Sequence, residues 1–200
     1  MSRLAELYEE MARCERCALA KTRLRVVPGE GNENADLFFI GEAPGWHENQ
    51  QGRPFVGPAG QLLDELLASI GLKRSDVYIG NVVKCRPPAN RDPLPSEIEA
   101  CVPFLEHQLE LIGPKVVVTL GRYSMSRFFP GESISRIHGI PRKRGNVVYF
   151  PMYHPAAALH QPSLRRYLES DIRKLPDIIA KMASLPEVQE QPEMTQLSLF

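Results

Sequence analysis

The most constraining feature of this chain is a strand-like apolar run that leads directly into a loop rich in glycine and proline. Residues 37–40 (Leu-Phe-Phe-Ile) precede the loop 41–45 (Gly-Glu-Ala-Pro-Gly), and a second glycine-rich stretch, 52–60 (Gly-Arg-Pro-Phe-Val-Gly-Pro-Ala-Gly), runs into an amphipathic helix pattern. In α/β proteins a strand, a loop and a helix in this order build ligand sites at the carboxyl edge of a sheet. The loop residues Glu42 and Phe55 supply a carboxylate and a flat ring, which suit a planar, uncharged ligand.

The rest of the chain alternates between strand and helix patterns. Four apolar runs have strand length: 36–41, 77–83, 116–120 and 146–151. Helical patterns fall between or after them, at 61–71, 95–113, 121–129 and 163–182. The alternation predicts an α/β fold of three layers, α/β/α, with a four-stranded, mainly parallel sheet. Since parallel strands joined by right-handed crossovers end at one edge, we expect that edge to carry Glu42, Asn81, Gly121, Arg122 and His154.

The overall charge is balanced, with 24 Lys and Arg against 24 Asp and Glu in 200 residues. This argues against a purely electrostatic nucleic-acid binder, although a local basic face is enough to hold phosphates. No secretory signal and no apolar run of membrane length stands out, so we expect a cytoplasmic protein that does not enter a membrane. A folded domain over 1–183 is predicted, followed by a disordered tail over 184–200, which is rich in Glu, Gln and Pro. We expect a monomer.

Four cysteines form a candidate metal site. Cys14 and Cys17 make a C-x-x-C pair, Cys85 follows the second apolar run, and Cys101 lies in the next helix pattern. In a reducing compartment such cysteines favour metal or cluster ligation over disulfides. Four thiolates hold either a tetrahedral zinc ion or a four-iron cluster, and the spacing leaves both open, with four unconnected core thiols as the alternative.

The glycine-rich motifs, the cysteines and the segment 153–159 (Tyr-His-Pro-Ala-Ala-Ala-Leu) together resemble the family 4, or iron–sulfur, uracil-DNA glycosylases. The resemblance covers about residues 1–180, and its motifs are specific in combination. It implies the uracil-DNA glycosylase fold and hydrolysis of the N-glycosidic bond of deoxyuridine in DNA. It also implies a [4Fe–4S] cluster on Cys14, Cys17, Cys85 and Cys101. Because glycosidic hydrolysis needs no electron, we expect the cluster to be structural.

Within this resemblance, two residues are predicted to handle the base. Asn81 is the uracil-reading residue, since a carboxamide offers a donor and an acceptor to the O4 and N3–H edge. An asparagine capping a strand end is the alternative. His154 can donate to uracil O2, where negative charge gathers as the bond breaks. We assign no role in the site to the other four histidines, which are His47, His107, His138 and His160.

The acidic residues of the loop are the candidates for the sugar side of the reaction. In the best-known uracil glycosylases this loop carries an aspartate that helps to orient water, and Ala43 takes its position here. Glu42 is then expected to polarise water or stabilise the sugar cation, helped by Glu48, or instead to shape the pocket near uracil C5. Many family members have an acidic stretch after the loop, whereas residues 46–51 here read Trp-His-Glu-Asn-Gln-Gln. Gly41 and Ala43 are assigned to the substrate-binding set.

The remaining candidates concern DNA itself. Phe55 is expected to stack on the extracted base from an exposed loop, with a core phenylalanine as the alternative. Leu159 is a candidate wedge that fills the vacated base stack. Arg165 and Arg166 can bind phosphates, although a solvated helix face is an equally good interpretation.

Two alternatives to a hydrolase stay open from the sequence: a non-catalytic or covalent uracil-DNA-binding iron–sulfur protein, and a zinc-containing α/β protein acting on another nucleotide. The covalent group carries a histidine in a basic insertion after the second strand, and residues 84–93 contain no histidine. A hydrolase is therefore preferred. The last five residues, 196–200 (Gln-Leu-Ser-Leu-Phe), resemble the pentapeptide that binds the bacterial sliding clamp. Alternatively, Leu199 and Phe200 fold back onto the enzyme.

Overall fold

A computed structural model describes residues 2–186 and contains a mixed sheet between two layers of helices. Its six strands are β1 (Glu30–Gly31), β2 (Leu37–Gly41), β3 (Tyr78–Asn81), β4 (Val116–Leu120), β5 (Arg142–Arg144) and β6 (Val147–Met152). They lie in the order β1-β3-β2-β4-β6-β5. The four central strands are parallel to one another, and both edge strands are antiparallel to their neighbours.

Nine α-helices surround the sheet within this part of the chain. They are α1 (Arg3–Ala12), α2 (Trp46–Gln51), α3 (Pro58–Ser69), α4 (Pro95–Ile112), α5 (Arg122–Phe128), α6 (Ile134–Ile137), α7 (Pro155–His160), α8 (Arg165–Ile172) and α9 (Leu175–Ala180). Single 3₁₀ turns occur at Ala18–Lys21, Arg74–Asp76, Pro88–Asn90, Pro162–Leu164 and Met182–Ser184. None of the helices in residues 2–186 is long and apolar enough to cross a membrane.

The core is divided between the two faces of the sheet, as the alternation of side chains along β2 illustrates. Leu37 and Phe39 pack with α3, α8 and α9 on one face. Phe38 and Ile40 pack with α1 and α4 on the other. Every residue of β2 is buried, which is the burial expected of a central strand covered on both sides. The sequence prediction of three layers is confirmed.

The predicted four-stranded sheet is corrected to six strands, because two short edge strands escaped the sequence analysis. β1 has two residues, and β5 consists of Arg142, Lys143 and Arg144, none of which is buried. Such short, polar segments give no hydrophobic period, since edge strands are often kept short and charged. The helix expected over 163–182 is likewise two helices, α8 and α9, and α9 begins at Leu175 just before Pro176.

The chain order of the parallel strands creates a crevice at their carboxyl ends. β3 lies on one side of β2, whereas β4 and then β6 lie on the other. The order of strands thus reverses at β2, and open α/β sheets bind ligands at this kind of switch point. Glu42, directly after β2, and Arg122, two residues after the end of β4, both line this crevice. The tail assignment, residues 184–200, falls largely outside the described residues, although Leu185 still packs against the core.

Candidate active site

A cavity of about 650 Å³ opens at the carboxyl edge of the sheet, and the predicted residues converge there. Its wall includes Glu42, Ala43, Glu48, Phe55, Asn81, Arg122 and His154. These side chains come from the loops after β2 and before α3, and from the ends of β3, β4 and β6. The expected convergence at one edge is confirmed.

Gly41 lets two of these side chains meet at the bottom of the cavity. A Cβ atom at Gly41 would lie 2.7 Å from Phe55 Cζ and would also collide with Asn81 Oδ1. The backbone pairing of Gly41 with Asn81 across β2 and β3 fixes this approach. Gly41 is therefore a spacing residue for the aromatic ring and the carboxamide.

Phe55 has an unusual backbone conformation, with φ at 51°. A positive φ is strained for a bulky residue, and such strain clusters at functional sites. Arg74 holds the segment by donating to the carbonyl oxygens of Pro54 at 2.6 Å and Phe55 at 3.0 Å. Gly60 is required beneath it, because a Cβ there would overlap the Phe55 carbonyl. The side chain is 6% exposed, so the expected exposed loop is wrong, yet the ring still lines the cavity.

Asn81 presents an unused carboxamide to the cavity. The residue is 2% exposed, and no group within residues 2–186 hydrogen-bonds to its side chain. Its backbone carbonyl accepts a hydrogen bond from the buried Lys84 ammonium at 2.6 Å, and the same ammonium donates to Gln108 Oε1 at 2.5 Å. The amide atoms of Asn81 are not among the fully buried, unpartnered side-chain atoms of residues 2–186, so they reach the cavity, where solvent or a ligand can satisfy them. The alternative of a self-satisfied turn asparagine has no hydrogen bond to support it.

His154 is held as a neutral imidazole. Its Nδ1 accepts a hydrogen bond from the Ala156 backbone N–H at 3.1 Å, which leaves the proton on Nε2. Burial lowers the pKa of His154 to about 4, against a smaller opposing effect of the Glu48 carboxylate. The ring stacks on Phe55, with centroids 5.5 Å apart and planes 24° apart. The site therefore contains a neutral N–H donor beside the aromatic ring and the carboxamide.

The two glutamates of the site have different surroundings. Glu48 accepts hydrogen bonds from the backbone N–H groups of Val56 at 2.9 Å, Gly57 at 3.0 Å and Gly45 at 3.1 Å. These bonds join the two glycine-rich loops, so Glu48 braces the cavity wall. Glu42 has no hydrogen bond to its carboxylate from residues 2–186. Burial, reinforced by the nearby Asp92 carboxylate, raises the pKa of Glu42 to about 7 despite the opposing charge of Arg122.

One wall of the cavity was missed by the sequence analysis. Pro87, Asn90, Arg91 and Asp92 line it, and the residue types of this stretch alone did not indicate a binding role. Ala89 and Asn90 both have positive φ, at 54° and 53°. The sequence signal was the Pro-Pro-Ala-Asn turn at 87–90, in the loop that follows β3, since such loops carry binding residues.

The DNA-contact candidates lie outside this wall. Leu159 is 49% exposed on α7, next to the cavity-lining His160. Arg165 pairs with Glu65 at 2.7 Å and Glu169 at 2.9 Å. Arg166 lies over the Tyr167 ring, 4.7 Å from its centroid. Both arginines thus have partners within the protein, and each guanidinium keeps further N–H donors that these partners do not use.

The four cysteines meet in a second, smaller cavity between α1, the end of β3 and α4. Cys101 Sγ accepts a hydrogen bond from the Lys84 backbone N–H at 3.2 Å, and Cys85 Sγ accepts one from Arg23 at 3.5 Å. Arg23 also donates to the backbone carbonyls of Ala12 and Cys14. Within residues 2–186, no three His, Cys, Asp or Glu side chains are gathered closely enough for a single metal ion.

A carboxamide, a neutral imidazole and an aromatic ring thus share one cavity at the strand edge of an α/β protein, an arrangement that suits a planar polar ligand. Residues 28–175 match the model of the uracil DNA glycosylase superfamily, and the chain belongs to this superfamily. It is 47% identical over 190 residues to the type-4 uracil-DNA glycosylase of Archaeoglobus fulgidus, covering 90% of this chain and 96% of that protein. The type-4 uracil-DNA glycosylase of Sulfurisphaera tokodaii is 46% identical, and the match covers 89% of this chain and 86% of that protein. The Thermotoga maritima type-4 enzyme is 45% identical, with 86% of this chain and 93% of that protein covered.

Proposed function

We propose that this protein is a monofunctional uracil-DNA glycosylase that extracts deoxyuridine from DNA and hydrolyses its N-glycosidic bond. Uracil and an abasic site are the products, as in the first step of base excision repair. The type-4 relatives support the enzyme class, and the observation that carries the mechanism is the unpartnered Asn81 carboxamide beside a neutral His154. The glycosidic bond is inaccessible in a stacked duplex, so the nucleotide must leave the stack before reaction.

Asn81 is proposed to read the base. Its amide can accept from uracil N3–H and donate to O4, whereas cytosine presents the opposite pattern on this edge. Gly41 and the pairing of β2 with β3 hold the amide against Phe55, which limits the positions open to a base. The Phe55 ring supplies the stacking surface, and its strained backbone is held by Arg74 before substrate arrives.

His154 is proposed to stabilise the departing base. As the bond lengthens, negative charge collects on uracil O2, and a preorganised N–H donor stabilises that charge more than the ground state. The hydrogen bond from Ala156 fixes the tautomer, so Nε2–H is the available donor. The low pKa of His154 keeps the ring neutral at physiological pH, and the donor acts without transferring its proton.

Glu42 is proposed to act on the sugar side, where the transition state is positively charged. Its ionised carboxylate can hold the attacking water and attract the oxocarbenium-like sugar. Glu48 supports this indirectly by fixing the loop, since its carboxylate is occupied by three backbone N–H groups. Glu48 is therefore a positioning residue in this proposal.

The cysteine cavity is proposed to hold a [4Fe–4S] cluster. A tetrahedral zinc ion needs four sulfurs at about 2.3 Å from one point. A larger cluster accepts more widely separated thiolates around a shared cavity. Hydrogen bonds to Cys85 and Cys101 from Arg23 and Lys84 are the kind that stabilise cluster sulfurs. The cluster would hold α1, the β3–α4 connection and α4 together.

A uracil-containing oligonucleotide tests the activity and separates it from non-catalytic binding. The wild-type protein should release free uracil and leave an alkali-labile site, seen as a shortened strand on a denaturing gel. An Asn81→Ala, His154→Ala double variant serves as the negative control for contaminating glycosylase. Tight binding without any release would contradict the proposal and favour the binder, and a protein–DNA adduct that survives denaturation would favour covalent capture.

A further inference from the structure

Three exposed apolar side chains lie close in the chain to residues of the active-site cavity, and the proposed chemistry does not use them. Trp46, Leu94 and Leu159 are 52%, 50% and 49% exposed. Trp46 follows the cavity-lining Gly45, Leu94 lies two residues after the cavity-lining Asp92, and Leu159 precedes the cavity-lining His160. Three separate segments that contribute to the cavity wall thus each carry a large exposed apolar side chain within two residues of that wall, and exposed apolar groups are candidates for an interaction site.

Trp46 is held in place by the frame that shapes the cavity. It is the first residue of α2, whose N-cap Gly45 donates its backbone N–H to Glu48 at 3.1 Å. The His47 ring meets the indole edge-on at 4.9 Å and lies close against Gly57. An indole fixed on a braced helix start loses little conformational freedom on binding, which suits a stacking surface.

Two cationic side chains line the same cavity, and each is also paired with a carboxylate, Arg91 with Glu97 and Arg122 with Asp92. Arg122 lines the cavity with 66% of its side chain exposed, and Arg91 lines it with 37% exposed. Single-stranded nucleic acid is bound by this combination, in which aromatic rings stack on bases while cations follow the backbone. Bases inside an intact duplex are already stacked and offer no face to Trp46, whereas unpaired bases do.

We propose that Trp46, with Leu94 and Leu159, forms a contact surface for unpaired bases, and that Trp46 stacks on a base neighbouring the extracted deoxyuridine on the same strand. The inference rests on the proposed glycosylase function and adds a substrate class to it. Uracil in single-stranded or locally unpaired DNA is the better substrate, since only there are the neighbouring bases available to the indole.

The chain contains one tryptophan, so its fluorescence reports on Trp46 alone. Titration with a single-stranded oligonucleotide carrying a non-hydrolysable deoxyuridine analogue should quench the emission saturably. Trp46→Ala should weaken binding of that oligonucleotide about tenfold, the range expected for one stacked base. The weaker binding should also raise the protein concentration that gives the half-maximal single-turnover rate. The Trp46→Phe variant should recover most of the lost affinity.

Two comparisons make the test specific. Ile140→Ala removes another exposed apolar side chain, 48% exposed and outside the cavity, and should change nothing. A fully paired duplex should lose less than about twofold in affinity from Trp46→Ala, since its bases are not available for stacking. Equal losses on single strands and duplex, or unchanged emission at saturation, would overturn the inference. Failure of the wild-type protein to release uracil would instead reject the underlying function, whatever the emission shows.

Discussion

Burial acts in opposite directions on the two titratable side chains that matter most in the cavity. It lowers the pKa of His154 to about 4 and raises that of Glu42 to about 7. Both shifts favour the neutral form, because a low-dielectric wall penalises charge. At physiological pH the imidazole is therefore a neutral donor, whereas the carboxyl group lies near its own midpoint. The surroundings of each group therefore make His154 a neutral hydrogen-bond donor and leave Glu42 able to act as an anion.

We predict that the rate of uracil release rises with pH through a midpoint near 7, since the ionised Glu42 carboxylate is the form that holds water or the sugar cation. Single-turnover rates on a uracil oligonucleotide between pH 5.5 and 8.5 measure this. The Glu42→Gln variant should release uracil more slowly at every pH in this range, and its rate should no longer rise through a midpoint near pH 7. Glu99→Gln, an exposed carboxylate on α4, serves as the control and should keep it.

The same substitution should affect stability with a definite sign. A folded-state pKa above the unfolded value means that the ionised group opposes folding, and the penalty develops as pH rises from about 4.5 to about 7. Glu42→Gln should therefore raise the melting temperature at pH 8 and leave it almost unchanged at pH 4.5. A lower melting temperature at pH 8 would contradict the buried, unpaired carboxylate described for Glu42.

We predict that Asn81→Ala and His154→Ala each reduce single-turnover uracil release at least tenfold, which corresponds to a loss of at least about 1.4 kcal/mol of transition-state stabilisation. His107→Ala, on the exposed face of α4, is the matched control for histidine removal and should retain the wild-type rate. Unchanged rates in both cavity variants would reject the assigned roles of these side chains.

The sequence was sufficient to locate the strand-end side chains, because the carboxyl ends of parallel strands converge for topological reasons. It did not reveal that the Glu48 carboxylate accepts hydrogen bonds from three backbone N–H groups. Those contacts depend on how two loops that are separated in the chain come together. Nor did the sequence indicate that Phe55 is buried, since the glycines and proline around it favoured an exposed loop. Its backbone at positive φ is held by Arg74, which is distant from that loop in the chain, and is accommodated by the missing Cβ of Gly60.

At the scale of elements, the cysteine cavity joins α1 to the sheet and to α4. α1 contributes three buried side chains, Leu4, Leu7 and Met11, to that face of the core. Lys84 connects this region to the active site, because its backbone N–H donates to Cys101 Sγ and its ammonium to the Asn81 carbonyl. Loss of the proposed cluster is therefore expected to disturb the base-reading strand end as well as α1.

We predict that the protein purified without air is brown, contains about four irons per chain and bleaches as the cluster is lost. Cys85→Ser should lower the iron content, the yield and the melting temperature together, because its thiolate is a proposed ligand. Metal analysis, visible absorption and thermal unfolding measure these changes. A colourless protein that contains stoichiometric zinc would contradict the proposed cluster and would favour the zinc-containing alternative.

The secondary elements that could not be predicted are those with too few residues to show a period. β1 and β5 are held as strands by pairing with β3 and β6, and therefore by tertiary context. The longer elements with buried faces were predictable, as in β4, whose five residues Val116–Leu120 match the apolar run. The start of α4 likewise depends on a specific contact, since the N-cap Leu94 donates its backbone N–H to the Glu97 carboxylate at 2.8 Å.

At the scale of the whole molecule, a net charge of zero limits long-range attraction to DNA. Cationic residues and acidic residues are equal in number, and several arginines near the cavity are already paired, among them Arg91 with Glu97 and Arg122 with Asp92. Nonspecific affinity comes mainly from phosphate contacts. A neutral enzyme of this kind gains more from a tether that raises its local concentration on DNA than a basic enzyme would.

The C-terminal residues 196–200, which lie outside the described part of the chain, are proposed to be that tether through the bacterial sliding clamp. We predict that deleting them abolishes co-migration with the clamp and leaves uracil release from short oligonucleotides unchanged. A tether acts through local concentration and does not touch the cavity, so the two activities should separate. Gel filtration with purified clamp and single-turnover assays on the same preparation measure both.

A substitution tests whether the side chains, and not the length of the tail, carry the binding. Replacing Leu199 and Phe200 together by alanine should abolish clamp binding as completely as the deletion, because two apolar anchors are expected to fill a groove. Glu190→Ala, in the acidic part of the same tail, is the control and should bind normally. Slower uracil release or a lower melting temperature in the Leu199, Phe200 variant would place these side chains on the enzyme's own surface. No binding by the intact protein in a clamp titration would refute the tether.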